Sequence, residues 1–120
     1  MDRRLAEKVG GLDVLWGSLD NFLARAFGFW VMKGDETISH CCPVYLGDRR
    51  FETGVATNKK YRRQGFATLA ACAFIACCLD EGLMPEWSCY YVNEASKSLA
   101  LKLGFVAKPD VEVHYVRMQK

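Results

Sequence analysis

Histidine is nearly absent: His40 and His114 are the only two in 120 residues. Six cysteines accompany them, but no C-x-x-C spacing occurs, and Cys41-Cys42 and Cys77-Cys78 are adjacent pairs. Neighbouring residues point to opposite faces of a strand or about 100° apart on a helix. The spacings of structural zinc sites are therefore missing, and no metal is expected. The cysteines read as small buried apolar residues, which suit a reducing compartment. An excess of one charge is missing too: 16 Lys and Arg stand against 14 Asp and Glu, a net of +2. A general nucleic-acid binder carries a basic surface rather than one basic turn, so no nucleic-acid partner is expected. Long apolar runs are lacking as well. The longest, residues 69–79, is too short to span a bilayer, and no secretory signal precedes Leu5. The expectation is a cytoplasmic chain without a membrane partner. Repeats and low-complexity segments do not occur.

What is present is the mixture of an ordinary globular protein, 51% hydrophobic and 25% charged. The length suits one domain with one core, read as residues 1–120. Over residues 1–24, Leu5, Val9, Leu12, Leu15 and Trp16 fall near helical spacing, broken at Gly10 and Gly11 and ended at Gly17. Ser18 or Asp20 can cap a second short helix over 21–26, turning Phe22, Leu23 and Phe27 towards a sheet. Residues 27–33, 37–46 and 50–57 form a three-strand meander with turns at Gly34-Asp35 and Gly47-Asp48. Pro43 removes a ladder donor and asks for an edge or a bulge. Residues 66–80 form a helix apolar almost all round, expected to be buried on most sides, with Gly82 as its stop. The aromatic run 86–92 reads as a strand. With 52–57 and the helix it makes a βαβ unit, hence parallel strands and a right-handed crossover. Asn93 caps a helix over 94–103 that Gly104 ends, and 111–118 alternates as a last antiparallel strand. The sum is an α/β chain with a mixed sheet of about six strands and helices on both faces.

The chain is organised around residues 52–81. A strand runs into a basic turn holding Lys59, Lys60, Arg62 and Arg63, and Gly65 opens the apolar helix. That order builds an anion site. The first amides of a helix lack intrahelical partners, and the dipole there is positive. Arg62-Arg63-Gln64-Gly65-Phe66-Ala67 resembles the R/Q-x-x-G-x-G/A turn of the GNAT acetyltransferases, with Ala67 at the last small position. Asn93-Glu94-Ala95-Ser96 and Leu103-Gly104-Phe105 resemble the second block of that family, in the right order. The likeness covers about residues 20–118. It is nearest in look to the subgroup with E-x-G-x-A/E-T before the turn and W-x-C-W/Y-x-x-N-x-x-S after it, here 52–57 and 87–96.

The resemblance implies a GNAT-like fold with a central βαβ cofactor unit and acetyl-coenzyme A as cosubstrate. Main-chain groups of Val55, Ala56 and Thr57 would pair with the pantetheine arm like an extra strand. Amides of the turn formed by Arg62, Arg63, Gln64, Gly65, Phe66 and Ala67 would hold the pyrophosphate, Gly65 allowing close approach. Lys59, Lys60 and Arg62 would supply positive potential, one of them reaching the 3′-phosphate. Asn93 would contact the pantetheine amide region as well as cap its helix, and Ser96 would touch the cofactor. Glu52 is the candidate general base. Many relatives carry a tyrosine seven residues after the asparagine, and Ala100 stands there in this chain. Tyr90 is then the candidate acid, with Tyr91 or water as substitutes. Oxyanion stabilisation would come from a main-chain amide near 55–57.

His40 and His114 read as packed or surface residues, and Cys89 has no arranged histidine to make it a nucleophile. Trp30, Trp87, Phe29 and Tyr45 are core aromatics that could instead line an acceptor pocket. The implied function is N-acetyl transfer to a primary amine of a small molecule or peptide, by direct attack in a ternary complex. The alternative is a coenzyme A-binding or regulatory module that has lost catalysis, suggested by Ala100 and a short N-terminal region. The short chain and exposed sheet edges suit a homodimer.

Overall fold

The structure, a computed structural model, describes residues 3–109. The chain divides into two compact units, residues 1–88 and 89–120. The expected last strand over 111–118, with His114, lies outside the described residues.

The first unit begins with three short helices, α1 (Arg3–Glu7), α2 (Leu12–Leu15) and α3 (Leu19–Arg25). Ser18 is the cap of α3: its hydroxyl accepts from Asn21 N at 3.0 Å, and Asn21 Nδ2 donates to Trp16 O at 2.7 Å. The helices are too short to stand alone. Each instead contributes an apolar side chain to a shared core, through Ala6, Leu12 and Phe22, with Trp16 between α2 and α3.

The sheet has the order β1 (Phe29–Lys33), β2 (Glu36–Gly47), β3 (Arg50–Thr57) and β4 (Met84–Glu86). β1, β2 and β3 form the expected antiparallel meander. Pro43 sits at a bulge, where the register slips between Pro43 and Tyr45. The strand is central rather than an edge, so the bulge alone accommodates the missing donor. Trp16 Nε1 donates to Pro43 O at 3.1 Å, which ties the N-terminal helices to this kink.

α4 (Phe66–Asp80) crosses from β3 to β4 and has the expected bounds. Its end is a Schellman motif: Gly82, at φ 70°, donates to Leu79 O, and Leu83 N donates to Cys78 O. Burial on most sides is not what the fold delivers. Ala70, Ala71, Phe74 and Cys78 face the sheet and are buried. Leu69 and Leu79 are 60% and 61% exposed, and Cys72 is exposed beside them. A helix of Ala and Cys shows no polar stripe in its sequence to tell which face is covered, and single apolar side chains such as these leucines are common on protein surfaces.

β4 also departs from expectation. It pairs in parallel with β3 at Arg50–Met84, Phe51–Pro85 and Glu52–Glu86, and residues 87–92 leave the ladder. Aromatic propensity reports fit to a pleated surface, and without a partner strand it does not hold the segment extended. The described sheet therefore has four strands instead of the larger number expected.

An aromatic cluster fills the first unit. Phe51 lies against Trp16, Phe27 and Phe74, with centroids 6.3, 5.4 and 6.1 Å away. In the second unit, α5 (Glu94–Lys102) starts at Asn93, whose side chain accepts from Ser96 N at 3.1 Å. It closes with the same Schellman pattern, Gly104 N to Leu101 O and Phe105 N to Ala100 O.

Phe74→Ala should lower unfolding free energy by about 3–5 kcal/mol. Leu79→Ala, on the exposed side of α4, should stay within roughly 0.5 kcal/mol. Urea melts of the two variants check the pair, and equal losses would contradict one-sided burial.

Candidate functional site

The far edge of β3 beyond Glu52 has no strand against it among the described residues. The chain leaves that edge at Thr57, passes through a single 3₁₀ turn (Lys59–Tyr61) and enters α4 at Phe66. Local hydrogen bonds hold the junction. Asn58 N donates to Ile38 O at 2.8 Å, and Asn58 Oδ1 accepts from Lys60 N at 3.1 Å. Ser39 Oγ, buried on β2, donates to Ala56 O at 2.9 Å and lies 2.9 Å from Thr57 Oγ1. Arg62 Nε donates to Thr57 O at 3.3 Å.

Residues 62–65 form the mouth of the helix. Arg63 and Gly65 both sit in the left-handed region, at φ 63° and 85°. A left-handed residue beside a right-handed one can turn neighbouring amides towards one concavity, a shape that receives anions. Gly65 is the N-cap of α4 and brings no side-chain acceptor, and the first turn of the helix carries no acidic residue. A Cβ placed on Gly65 would meet nothing within 4 Å. These residues fit a phosphate group: main-chain donors without a capping side chain, open space above them, and cations around them.

The four basic side chains of the turn are not equivalent. Lys60 Nζ pairs with Glu36 Oε2 at 3.0 Å, and the Tyr61 hydroxyl donates to the other oxygen of the same carboxylate. That hydroxyl, and then Lys60, hold the Glu36 carboxyl below the usual range, while Glu36 raises both partners. Arg62 is engaged with Thr57 O. Lys59 and Arg63 are exposed. Of the residues expected to lend positive potential, Lys60 is thus already neutralised. Glu36 and Tyr61 are 25 residues apart in sequence, and no local pattern announces their contact.

Glu52 is half-buried on β3, opposite Tyr45 on β2 and Glu86 on β4. Strand alternation puts it on the face opposite Phe51, together with Gly54 and Ala56, about 13 Å from Ala56 along the strand. The register adds His40 and Trp30 to this face, since Trp30 pairs with His40 and His40 with Ala56. Their rings stack at 5.8 Å, and burial pushes the His40 imidazole below its ordinary value. Trp30 and Tyr45 therefore share the face of Glu52, whereas Phe29 belongs to the α4 side. Arg50 holds Glu86 at 2.5 Å.

Tyr90, Asn93 and Ser96 belong to the second unit. Tyr90 is 78% exposed and, contrary to expectation, lies outside any strand. Asn93 is confirmed as a cap. Ala100 is 8% exposed on α5. The cysteines are all free thiols. Burial pushes Cys42 and Cys78 up to about 12, which removes them as thiolate nucleophiles. Two surface cavities, of ≈ 360 and ≈ 190 Å³, contain no residue of the basic turn. Anion binding by main-chain amides needs no enclosed cavity.

A family profile described as GNAT acetyltransferase matches residues 3–113. Over 100 residues, 83% of this chain, the sequence is 37% identical to YdfB of Bacillus subtilis (strain 168), an uncharacterised N-acetyltransferase, covering 38% of that protein. A GCN5-related N-acetyltransferase-like protein from Streptococcus suis 89/1591 superposes with a TM-score of 0.74 at 29% identity, over 86% of this chain and 43% of the other. An aminoglycoside N-acetyltransferase solved with coenzyme A superposes with a TM-score of 0.73 over 98% of this chain and 97% of its own. At 18% identity that likeness is one of fold. The chain spans less than half the length of the first two relatives.

Replacing Gly65 by Ala should cost about 1 kcal/mol or more of stability, because an L side chain is strained at its positive φ although space is open. Denaturant titration checks this, and an unchanged or raised midpoint would contradict the left-handed geometry.

Proposed function

The chain belongs to the GNAT acetyltransferase family, whose profile spans residues 3–113, and from that membership we propose that it transfers the acetyl group of acetyl-coenzyme A to a primary amine of a small molecule or peptide. The observation that carries the reading is the junction of a β3 edge, unpaired among the described residues, with the basic turn at the start of α4. On this reading the two units act as one domain over residues 1–120, in a reducing, cytoplasmic setting that suits six free thiols. Two chains would form a homodimer.

Acetyl-coenzyme A supplies an activated thioester. The main chain of Val55, Ala56 and Thr57 offers ladder donors and acceptors to an extended amide-bearing arm. The amides of Arg63, Gly65, Phe66 and Ala67 receive the pyrophosphate, with Gln64 and Arg62 completing the turn. Lys59 and Arg63 provide the exposed positive charge. Asn93 and Ser96 serve the cofactor from the start of α5.

Attack requires a neutral amine. Glu52, on the face shared with Trp30, His40 and Tyr45, takes its proton directly or through water. As the nitrogen–carbon bond forms and the carbon–sulfur bond breaks, a main-chain N–H near Thr57 stabilises the charge on oxygen. The leaving thiolate takes a proton from Tyr90, from Tyr91 or from water.

One observation favours a second reading, a coenzyme A-binding module without turnover. Ala100, at the position where the family resemblance implies a tyrosine, is buried and offers no phenol.

Glu52→Gln separates the two. In the enzyme it should lower kcat about 100- to 1000-fold with the coenzyme A Kd unchanged, read by thiol release over a panel of amines and by calorimetry. Cofactor binding without turnover on any amine would leave the module reading. If wild-type protein gives no heat with acetyl-coenzyme A, or if Gly65→Glu binds it normally, the cofactor site itself is wrong.

A further inference from the structure

We propose that Glu36 and Tyr61 are positioning residues for the cofactor: through one carboxylate and one phenol they set the shape of the 62–65 turn, touching no phosphate themselves. The inference rests on the acetyl-coenzyme A reading above.

The turn needs an external constraint. Arg63 is a non-glycine residue at φ 63°, a conformation that persists when its surroundings over-determine it. The exit is fixed by the helix. The entrance is fixed by Tyr61, which makes two contacts of different kinds. Its ring meets Phe66, the first residue of α4, edge-on at 6.1 Å and 87°. Its hydroxyl donates to Glu36 Oε1. Residues 62–65 are therefore bracketed by two side chains, Tyr61 and Phe66, that touch each other.

Glu36 makes the bracket rigid with respect to the sheet. It is the first residue of β2 and pairs with Lys33 across the β1–β2 hairpin. Its second oxygen takes Lys60 at 3.0 Å, so both oxygens of one carboxylate hold consecutive residues of the 3₁₀ turn. Asn58 completes the hold from the strand side, bonding Lys60 N at 3.1 Å. A turn tied to strand, sheet and helix can present its amides preformed, which reduces the ordering needed when an anion binds.

Tyr61→Phe is the cleanest test because it changes no charge and keeps the ring on Phe66. In the full chain, the KM for acetyl-coenzyme A and the Kd for coenzyme A should rise about fivefold or more, because the turn must then be ordered as the anion binds. The kcat at saturation should stay within about twofold and the melting temperature within a few degrees, since the hydroxyl is partly exposed. Glu36→Ala should weaken binding at least as much, although it adds to the net positive charge of the turn. Glu36→Gln, whose amide oxygen can still accept from Tyr61, should recover part of the loss. Unaltered or tighter binding in Tyr61→Phe or Glu36→Ala would overturn the inference, as would a fall in kcat matching the loss of affinity. Wild-type calorimetry separates the failures: no heat removes the cofactor reading and this inference with it, while wild-type binding with indifferent variants removes the inference alone.

Discussion

The parallel ladder between β3 and β4 lasts three residue pairs, from Arg50–Met84 to Glu52–Glu86, and stops there. Beyond that point β3 continues to Thr57 bonded to β2 on one side, and among the described residues no strand lies on the other. A strand left open on one side presents a row of donors and acceptors that must find water, another chain or a ligand. The rest of the first unit arranges itself around this opening. α4 begins where the open edge ends, and the basic turn joins the two. A full-length parallel pairing would have closed the edge and left the helix start beside a completed sheet.

Holding that edge in place falls to the aromatic core and the lie of α4 on the sheet. Phe51, next to Glu52, is buried against Trp16, Phe27 and Phe74. It anchors the last paired part of β3, while Glu52 points to the opposite face. Ala70, Ala71 and Cys78 flank Phe74 on the buried side of α4. Small side chains there let the helix lie close to the strands. The bulge at Pro43 bends β2 on the same core, where Trp16 ties it to the N-terminal helices.

Charge at the turn is managed rather than simply accumulated. Glu36 pairs with Lys60, while Arg62 donates one hydrogen bond to Thr57 O and keeps its charge. Lys59 and Arg63 stay exposed. Protonating Glu36 would release this arrangement. Its carboxyl titrates below the ordinary range, so what it contributes is present above the unfolded-state value of about 4.3 and fades as pH falls through the lower folded value. At neutral pH the clamp is fully charged.

Much was legible in the chain itself. The meander, the bounds of α4, the caps at Ser18 and Asn93 and the helix stops at Gly82 and Gly104 all follow from local steric and hydrogen-bonding rules, which act over a few residues. The order strand, basic turn, helix, on which the proposed anion site rests, is equally local and is present in the fold. Three things were decided only in three dimensions. Which face of an Ala- and Cys-rich helix is buried depends on what lies against it, because its side chains carry no polar marker. Whether residues 87–92 form a strand depends on a partner, because a ladder needs two chains. And the tie between Glu36 and Tyr61 depends on β2 passing beside the turn, a closeness that a separation of 25 residues conceals until the sheet brings the two together.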